Sequence, residues 1–103
     1  MPIYQTATYR VRPEGVETVK RAIATFVDHV REHEPGTRFY HAWQAQADPT
    51  TFVHLFIFED AEAQRIHSES AAVALFEAAY TPELVSDGVD FVDFDLVAGN
   101  VHP

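Results

Sequence analysis

The stretch that decides the fold runs from Thr51 to Tyr80, TFVHLFIFEDAEAQRIHSESAAVALFEAAY. It opens on an apolar, β-favouring run at 52–58, which has the length expected for a buried strand. The pattern changes at Asp60, which is a good N-cap residue, and Glu62 then falls in a first helical turn, where the helix dipole favours a carboxylate. A short polar break at 68–70 separates two helical pieces. The stretch therefore predicts a buried strand followed by a broken helix.

Two strands and an amphipathic helix are predicted before this stretch. Residues 3–12 alternate in polarity, as a strand with one apolar face does. From Pro13 onward, apolar residues recur at three- and four-residue steps until 34–36, where the sequence Glu-Pro-Gly ends the predicted helix. Residues 37–46, TRFYHAWQAQ, predict a second strand. The turn residues at 47–50 then join it to the apolar strand as a hairpin.

The order of these elements indicates the fold class. A last strand is predicted at 89–97, so the order is β-α-β-β-α-β, an α+β ferredoxin-like fold with a four-stranded antiparallel sheet. We expect a single domain over residues 1–103. Two helices can cover only one face of such a sheet, yet its strands carry apolar residues at both parities. Because so large an apolar patch is unusual on a soluble monomer, the pattern predicts a homodimer packed sheet to sheet.

Charge and composition argue against several classes of partner. The formal net charge is −9 and no basic run is present, which argues against nucleic acid and anionic membrane surfaces. The sequence has no cysteine, so it offers neither disulfides, thiolate catalysis nor cysteine-ligated zinc. Residues 1–10 lack the regions of a signal peptide, and no apolar run approaches membrane-spanning length. We therefore expect a cytoplasmic protein.

The whole arrangement resembles the antibiotic biosynthesis monooxygenase family, whose members are small dimeric α+β barrels. The resemblance rests on Phe58-Glu59-Asp60 with Ala63, His67, Ser70 and Phe76 beyond, and on Arg12-Pro13-Glu14-Gly15 after the opening strand. It implies a ligand cavity between the sheet and the helices of each subunit. Members include cofactor-independent oxygenases of polyphenols and quinols, haem-degrading enzymes and proteins of unassigned reaction.

Two positions depart from the patterns of particular members of that family. Quinol-oxygenase-like members usually carry a glutamate where this chain has Phe56, which weakens the case for quinol oxidation. Haem-degrading members place an iron-ligating histidine late in the second helix. The corresponding residues here, 77–80, contain no histidine, so haem degradation is disfavoured.

Histidines and aromatic residues of the predicted hairpin form a candidate patch. A turn at 47–50 places His41 opposite Phe56 in the sheet. It also places Trp43 opposite His54. Because paired residues share a face, the four side chains are expected to lie together.

With His67 on the adjacent helix, this patch is suited to a flat aromatic ligand. A histidine beside a phenolic hydroxyl can take its proton, and the resemblance implies that the electron-rich anion then reacts with molecular oxygen. The candidate catalytic residues are His54, His67 and His41, and the candidate substrate-binding residues are Trp43, Phe56, Phe76, Tyr9 and Tyr80. We therefore predict a monooxygenase that acts without a cofactor on a small phenolic or polycyclic aromatic substrate.

Other interpretations of the same residues stay open. The histidines could be core residues bonded to backbone or water. A metal site built from His41, His54 and His67 is formally possible, but no tight spacing or nearby carboxylate indicates it, and we expect no metal. His29 and His33 stand four apart, but solvated helix residues explain them better. The protein could also be a non-catalytic dimer that binds a small hydrophobic ligand, or a purely structural dimer with a filled core.

Overall fold

The computed structural model describes residues 1–101, which contain four β-strands and three α-helices. In chain order these are β1 (Ile3–Arg10), α1 (Val16–His33), β2 (Thr37–Gln44), β3 (Thr51–Phe58), α2 (Ala61–Ser68), α3 (Ala71–Tyr80) and β4 (Asp90–Phe94). Short 3-10 turns at Pro13–Gly15 and Thr81–Glu83 precede α1 and follow α3. The predicted α+β ferredoxin-like fold, including the broken second helix, is confirmed.

The strands form one antiparallel sheet in the order β2-β3-β1-β4. β3, the most continuously apolar strand of the sequence, is one of the two central strands and is paired on both sides. Its helix-facing side chains alternate along the strand, and all four are buried: Phe52, His54, Phe56 and Phe58. The helices cover this face of the sheet and leave the other face uncovered.

Helix α1 supplies the main apolar face that packs on the sheet. Val19, Phe26 and Val30 recur at helical spacing and are no more than 3 % exposed. Close packing at Gly36 then fixes the chain as it leaves the helix, because a Cβ there would lie 2.6 Å from the Cβ of Ala63. The turn after α1 is therefore held directly against α2.

The pairing of β2 with β3 differs by one residue from the prediction. Tyr40 pairs with Phe56, and Ala42 pairs with His54. The predicted partners of these two β3 residues, His41 and Trp43, are each displaced by one position and lie on the uncovered face. The prediction that His41 and Trp43 share a patch with His54 was wrong.

The turn explains this shift. The backbone N–H of Ala45, rather than a group of Gln46, donates to the carbonyl of Thr51 at 3.0 Å, so the connection is one residue longer than expected. The Asp48 carboxylate holds the longer turn: it accepts from the backbone N–H of Thr50 at 3.1 Å and from the hydroxyl of Thr51 at 2.9 Å. Such side-chain bonds select turn geometries that turn composition alone does not reveal.

The first and the last strand in the sequence are shorter than predicted. β1 ends at Arg10 rather than at 12, and β4 covers 90–94 rather than 89–97. Residues 95–101 follow β4 as exposed, irregular chain. Within residues 1–101, no helix combines the length and the apolar character needed to cross a membrane.

Candidate functional site

A cavity of about 160 Å³ lies between the sheet and the helices. An engineered apolar cavity of roughly 150 Å³ in another protein holds one benzene molecule, so this space suits a ligand with a single aromatic ring. The lining is mainly aromatic, with imidazole and phenol groups among apolar rings: it includes Tyr9, Phe26, Tyr40, His54, Phe56, Phe58, His67, Phe76, Tyr80 and Phe91.

Stacked ring pairs build the walls of the cavity. Phe26 of α1 stacks on Phe76 of α3, with ring centroids 5.0 Å apart and planes 10° apart. On the sheet, Tyr40 stacks on Phe56 at 5.2 Å and 9°. Offset-stacked rings are favourable beyond their area of burial, and they leave little rotational freedom. The walls are therefore rigid, flat and apolar, which suits a flat ring.

His54 lies at the sheet wall of the cavity, held between two tyrosines. It is 1 % exposed, its Nε2 is 2.8 Å from the Tyr9 hydroxyl oxygen, and its Nδ1 is 2.7 Å from the Tyr40 hydroxyl oxygen. Burial lowers the pKa of His54 from 6.5 to about 4, because the charged imidazolium is poorly solvated there. His54 is consequently neutral at pH 7, with one nitrogen that donates and one that accepts.

The two tyrosines stay protonated. Burial raises the pKa of the Tyr9 hydroxyl and of the Tyr40 hydroxyl well above 10. Smaller contributions come from other ionisable groups nearby, including Tyr80 in both cases. The group Tyr9–His54–Tyr40, which we call the hydroxyl–imidazole chain, is therefore uncharged over the neutral pH range.

A second polar pair stands at the helix side of the cavity. His67, in the last turn of α2, is 8 % exposed, and its Nδ1 is 2.7 Å from Oε1 of Glu34. Glu34 follows α1 and is 5 % exposed, and its Oε1 also accepts from the Thr37 hydroxyl at 3.0 Å. Because a carboxylate can only accept, Nδ1 of His67 carries the proton. In the neutral imidazole this leaves a lone pair on Nε2, which makes no hydrogen bond to any of residues 1–101.

The other carboxylate oxygen of Glu34 is also buried. Within residues 1–101, Oε2 of Glu34 has no hydrogen-bond partner, and Nε2 of the half-exposed His29 lies 3.7 Å away. A buried carboxylate at the C-terminal end of a helix is disfavoured by the helix dipole. The hydrogen bond to His67 holds Oε1 in place, and the imidazole of His29 stands beside Oε2.

The structure brings six of the eight predicted site residues to the cavity: His54, His67, Phe56, Phe76, Tyr9 and Tyr80. His41 and Trp43 are absent from its lining, since the shifted register turns them to the uncovered face. His41 therefore cannot join His54 and His67 around a metal ion. Among the residues that the structure describes, no group of three or more histidine, aspartate or glutamate side chains is arranged to hold a metal.

Two polar residues of the site were missed by the reasoning from sequence, besides apolar wall residues such as Phe26 and Phe58. Tyr40 shares the face of His54 only in the shifted register, so the error that included His41 also excluded Tyr40. The sequence indicates Glu34 only as part of the Glu-Pro-Gly segment that ends the predicted helix. Its partner His67 is 33 positions away, and no periodic pattern connects the two.

Comparison with known proteins agrees with this architecture. The family model described as antibiotic biosynthesis monooxygenase matches residues 2–79. No curated protein matches the chain significantly.

Solved structures share the fold at low sequence identity. A candidate antibiotic biosynthesis monooxygenase from Nitrosomonas europaea is 18 % identical with a TM-score of 0.86, and the alignment covers 93 % of this chain and 90 % of that one. A protein of the same description from Bacteroides thetaiotaomicron is 14 % identical with a TM-score of 0.89, covering 99 % and 95 %. A third, from Caulobacter crescentus, is 18 % identical with a TM-score of 0.87, covering 94 % and 91 %.

At these identities the solved structures establish the fold alone. The family match is broader evidence, because it extends from the first strand almost to the end of α3 and includes the β3–α2 stretch on which the resemblance rests. The chain belongs to the antibiotic biosynthesis monooxygenase family.

Proposed function

We propose that this protein is a cofactor-independent monooxygenase of small, single-ring phenolic compounds, with molecular oxygen as the second substrate. The observation that carries the proposal is that His67, a residue of the aromatic cavity wall, is hydrogen-bonded to the buried Glu34. The cavity volume favours the phenolic part of the predicted substrate class over the polycyclic part.

His67 is the proton acceptor in this proposal. Its free Nε2 takes the proton of the substrate hydroxyl, and the Glu34 carboxylate stabilises the imidazolium that forms. The phenolate then reacts with oxygen at a ring carbon. One oxygen atom remains on the ring as a carbonyl, and the other leaves as water. The hydroxyl proton and the displaced ring hydrogen supply the two hydrogens of that water, so a phenol and oxygen give a quinone and water.

The aromatic residue at position 56 fits this assignment. Phe56 stands where quinol-oxygenase-like members usually carry a glutamate, and here it stacks against Tyr40 as part of the wall. The base is then supplied from α2 by His67, with its carboxylate partner following α1, instead of from the strand. The second candidate function is a non-catalytic binding protein for a small hydrophobic ligand. Phe56 supports it equally, because this position of the cavity wall carries no carboxylate.

We also propose that the functional unit is a homodimer formed by the uncovered faces of two sheets. Trp43, Val92 and Phe94 point to that side and are 50 %, 39 % and 51 % exposed. Phe91 points to the helix side and lines the cavity, yet it is 59 % exposed. A partner over β4 would cover both sets of side chains and close the cavity beside Phe91.

Oxygen consumption with a panel of single-ring phenols tests the proposed reaction. We expect His67→Gln to lower kcat/KM roughly 10²- to 10⁴-fold, as loss of a general base does. Glu34→Gln should lower kcat/KM roughly 10- to 100-fold. Loss of the carboxylate that hydrogen-bonds to a metal-bound histidine has an effect of about this size, and Glu34 bonds to His67 in the same way. His33→Gln, at an exposed position in the last turn of α1, is the matched control and should change little.

The same panel distinguishes the two candidate functions. Saturable binding of phenols without oxygen consumption by the wild-type protein would support the non-catalytic binding protein. Oxygen consumption that His67→Gln leaves unchanged would contradict the role of His67.

A further inference from the structure

The hydroxyl–imidazole chain contains one more hydrogen-bond donor than it can use internally. Neutral His54 has one N–H group and one bare nitrogen, and each of the two tyrosines has one O–H group. The bare nitrogen accepts from the hydroxyl of one tyrosine. The N–H group donates to the hydroxyl oxygen of the other. The second tyrosine therefore keeps an O–H hydrogen that points elsewhere.

No protein group takes up that hydrogen among residues 1–101. The hydroxyl oxygens of Tyr9 and Tyr40 both make their single protein hydrogen bond to His54. Both tyrosines line the cavity, and Tyr9 is only 3 % exposed. A buried hydroxyl without an acceptor is costly, so the acceptor has to come from within the cavity, as water or as a ligand atom.

We propose that the hydroxyl–imidazole chain selects ligands that carry an unprotonated oxygen, such as a carbonyl, by presenting one tyrosine O–H to the cavity. Together with the hydroxyl that His67 requires, this makes the preferred substrate a hydroxyaryl carbonyl compound. That second statement rests on the proposed function, whereas the preference for a carbonyl oxygen does not.

The arrangement places both polar ends within reach of one ring. The Tyr40 ring centroid is 5.6 Å from that of His54 and 5.8 Å from that of His67, so Tyr40 lies between the two polar groups. A ligand stacked on the wall formed by Tyr40 and Phe56 can form one hydrogen bond to His67 through a hydroxyl. It can form another to the hydroxyl–imidazole chain through a carbonyl oxygen.

The donor can be either tyrosine, depending on the tautomer of His54. With the proton on Nδ1, Tyr9 donates to Nε2 and the free O–H belongs to Tyr40. With the proton on Nε2, the roles are exchanged. In the change from the first state to the second, Tyr9 takes one proton from the cavity and Tyr40 releases one to it. The charge of the hydroxyl–imidazole chain therefore does not change. Either tyrosine of the hydroxyl–imidazole chain can thus donate to the ligand, depending on where the ligand oxygen lies.

Binding of acetophenone and ethylbenzene tests this preference directly, because the two probes differ by one carbonyl oxygen. Neither has a hydroxyl for His67, so the result does not depend on whether the protein is an oxygenase. We expect the ratio of the two dissociation constants to shift roughly tenfold against acetophenone in the double variant Tyr9→Phe/Tyr40→Phe, which is the effect of one hydrogen bond.

Two matched controls locate the donor. Tyr80→Phe removes the third tyrosine hydroxyl of the cavity lining, and Tyr4→Phe removes one from the uncovered face. Both should keep the wild-type ratio. Loss of the preference in Tyr80→Phe, or a ratio unchanged in the double variant, would overturn the proposal.

A measurement on the wild-type protein covers the case in which the double variant does not fold. Nitrogen-15 NMR of the His54 ring at pH 7 should show one protonated and one bare nitrogen, as the neutral chain requires. Acetophenone should shift these two resonances, and ethylbenzene at equal occupancy should not. Identical spectra with the two bound probes would contradict the assignment of the donor to this chain.

Discussion

At the scale of single residues, His54 shows how burial sets the chemistry of a side chain. A lone histidine has a pKa near 6.5, but here burial behind Tyr9 and Tyr40 removes the water that would solvate its charge. The two hydroxyls compensate by bonding to both ring nitrogens. The folded protein therefore favours the neutral form of His54, and protonation of His54 favours the unfolded chain.

This coupling predicts a loss of stability in acid. The pKa of His54 is about 4 in the folded protein and about 6.5 in the unfolded chain, so between these pH values the unfolded chain binds more protons. The free energy of unfolding should therefore decrease as the pH falls from about 6.5 to 4, by roughly 3 kcal/mol at most. Above this window the contribution is fully present, and below it no further change comes from His54.

Denaturant unfolding of the wild-type protein and of His54→Gln at several pH values measures this contribution. The variant will be less stable at pH 7, because both tyrosines lose their partner. The difference between the two proteins should narrow towards pH 4, while the other titrating groups contribute to both curves alike. Curves that stay parallel over this range would show that His54 does not titrate as described.

At the scale of single elements, a side-chain cap fixes the start of each of the two helices α2 and α3. Asp60 accepts from the backbone N–H of Ala63 at 2.9 Å, and Ser70 accepts from that of Val73 at 3.1 Å. The second cap starts α3 in a new direction, so that Phe76 can stack on Phe26 while His67 stays beside Glu34. The break thus lets one helical stretch line the cavity twice.

Removing either cap should destabilise the protein by about 1 kcal/mol, since an N-terminal helix N–H group then loses its acceptor. We expect this for Asp60→Ala and Ser70→Ala, measured as the free energy of unfolding in urea. Thr18→Ala, at an exposed position of α1, is the control. It should leave stability unchanged or slightly higher, because alanine is the better helix former. Equal effects at all three sites would mean that the hydroxyl and carboxylate caps contribute nothing.

The elements themselves could be predicted from sequence because their signals are local. Helical spacing in α1, the apolar run of β3 and the Asp60 cap each act within a few residues, and all three elements are present. The register of β2 could not be predicted in the same way. It depends on the bonds of Asp48 inside a turn, and an error of one residue there exchanged Tyr40 for His41 at the site.

The pairing of Glu34 with His67 could not be predicted from local sequence patterns either. Glu34 and His67 meet because Gly36 allows the chain after α1 to pack against Ala63 of α2. This contact is a property of the assembled layers. The histidines at 54 and 67 were found from composition and chemistry, whereas their partners became visible only once the layers were in place.

At the scale of the whole molecule, the uncovered face of the sheet exposes apolar side chains, whereas the protein as a whole is strongly acidic. A formal charge of −9 on each subunit opposes association, whereas burial of Trp43 and Phe94 favours it. Salt screens the repulsion more than it affects apolar contact. A dimer formed through this face should therefore be held together mainly by apolar burial and should tighten as salt is added.

A carboxylate placed in that face should dissociate the dimer. Phe94→Asp introduces a charge that association would have to bury without a partner, so sedimentation should show a monomer at concentrations at which the wild type is dimeric. Leu75→Asp is the matched control, because Leu75 is 73 % exposed on α3, on the helix side. It should leave the dimer intact.

Trp43 is the only tryptophan of the chain and lies on the same face, so its fluorescence reports on the interface independently of sedimentation. Its emission should shift to longer wavelength in Phe94→Asp and not in Leu75→Asp, because only the first exposes it to water. Acetophenone binding should weaken in parallel, since the monomer leaves the cavity open beside Phe91. If Phe94→Asp stays dimeric with unchanged Trp43 emission, the subunits associate through another surface, and the cavity is complete within one chain.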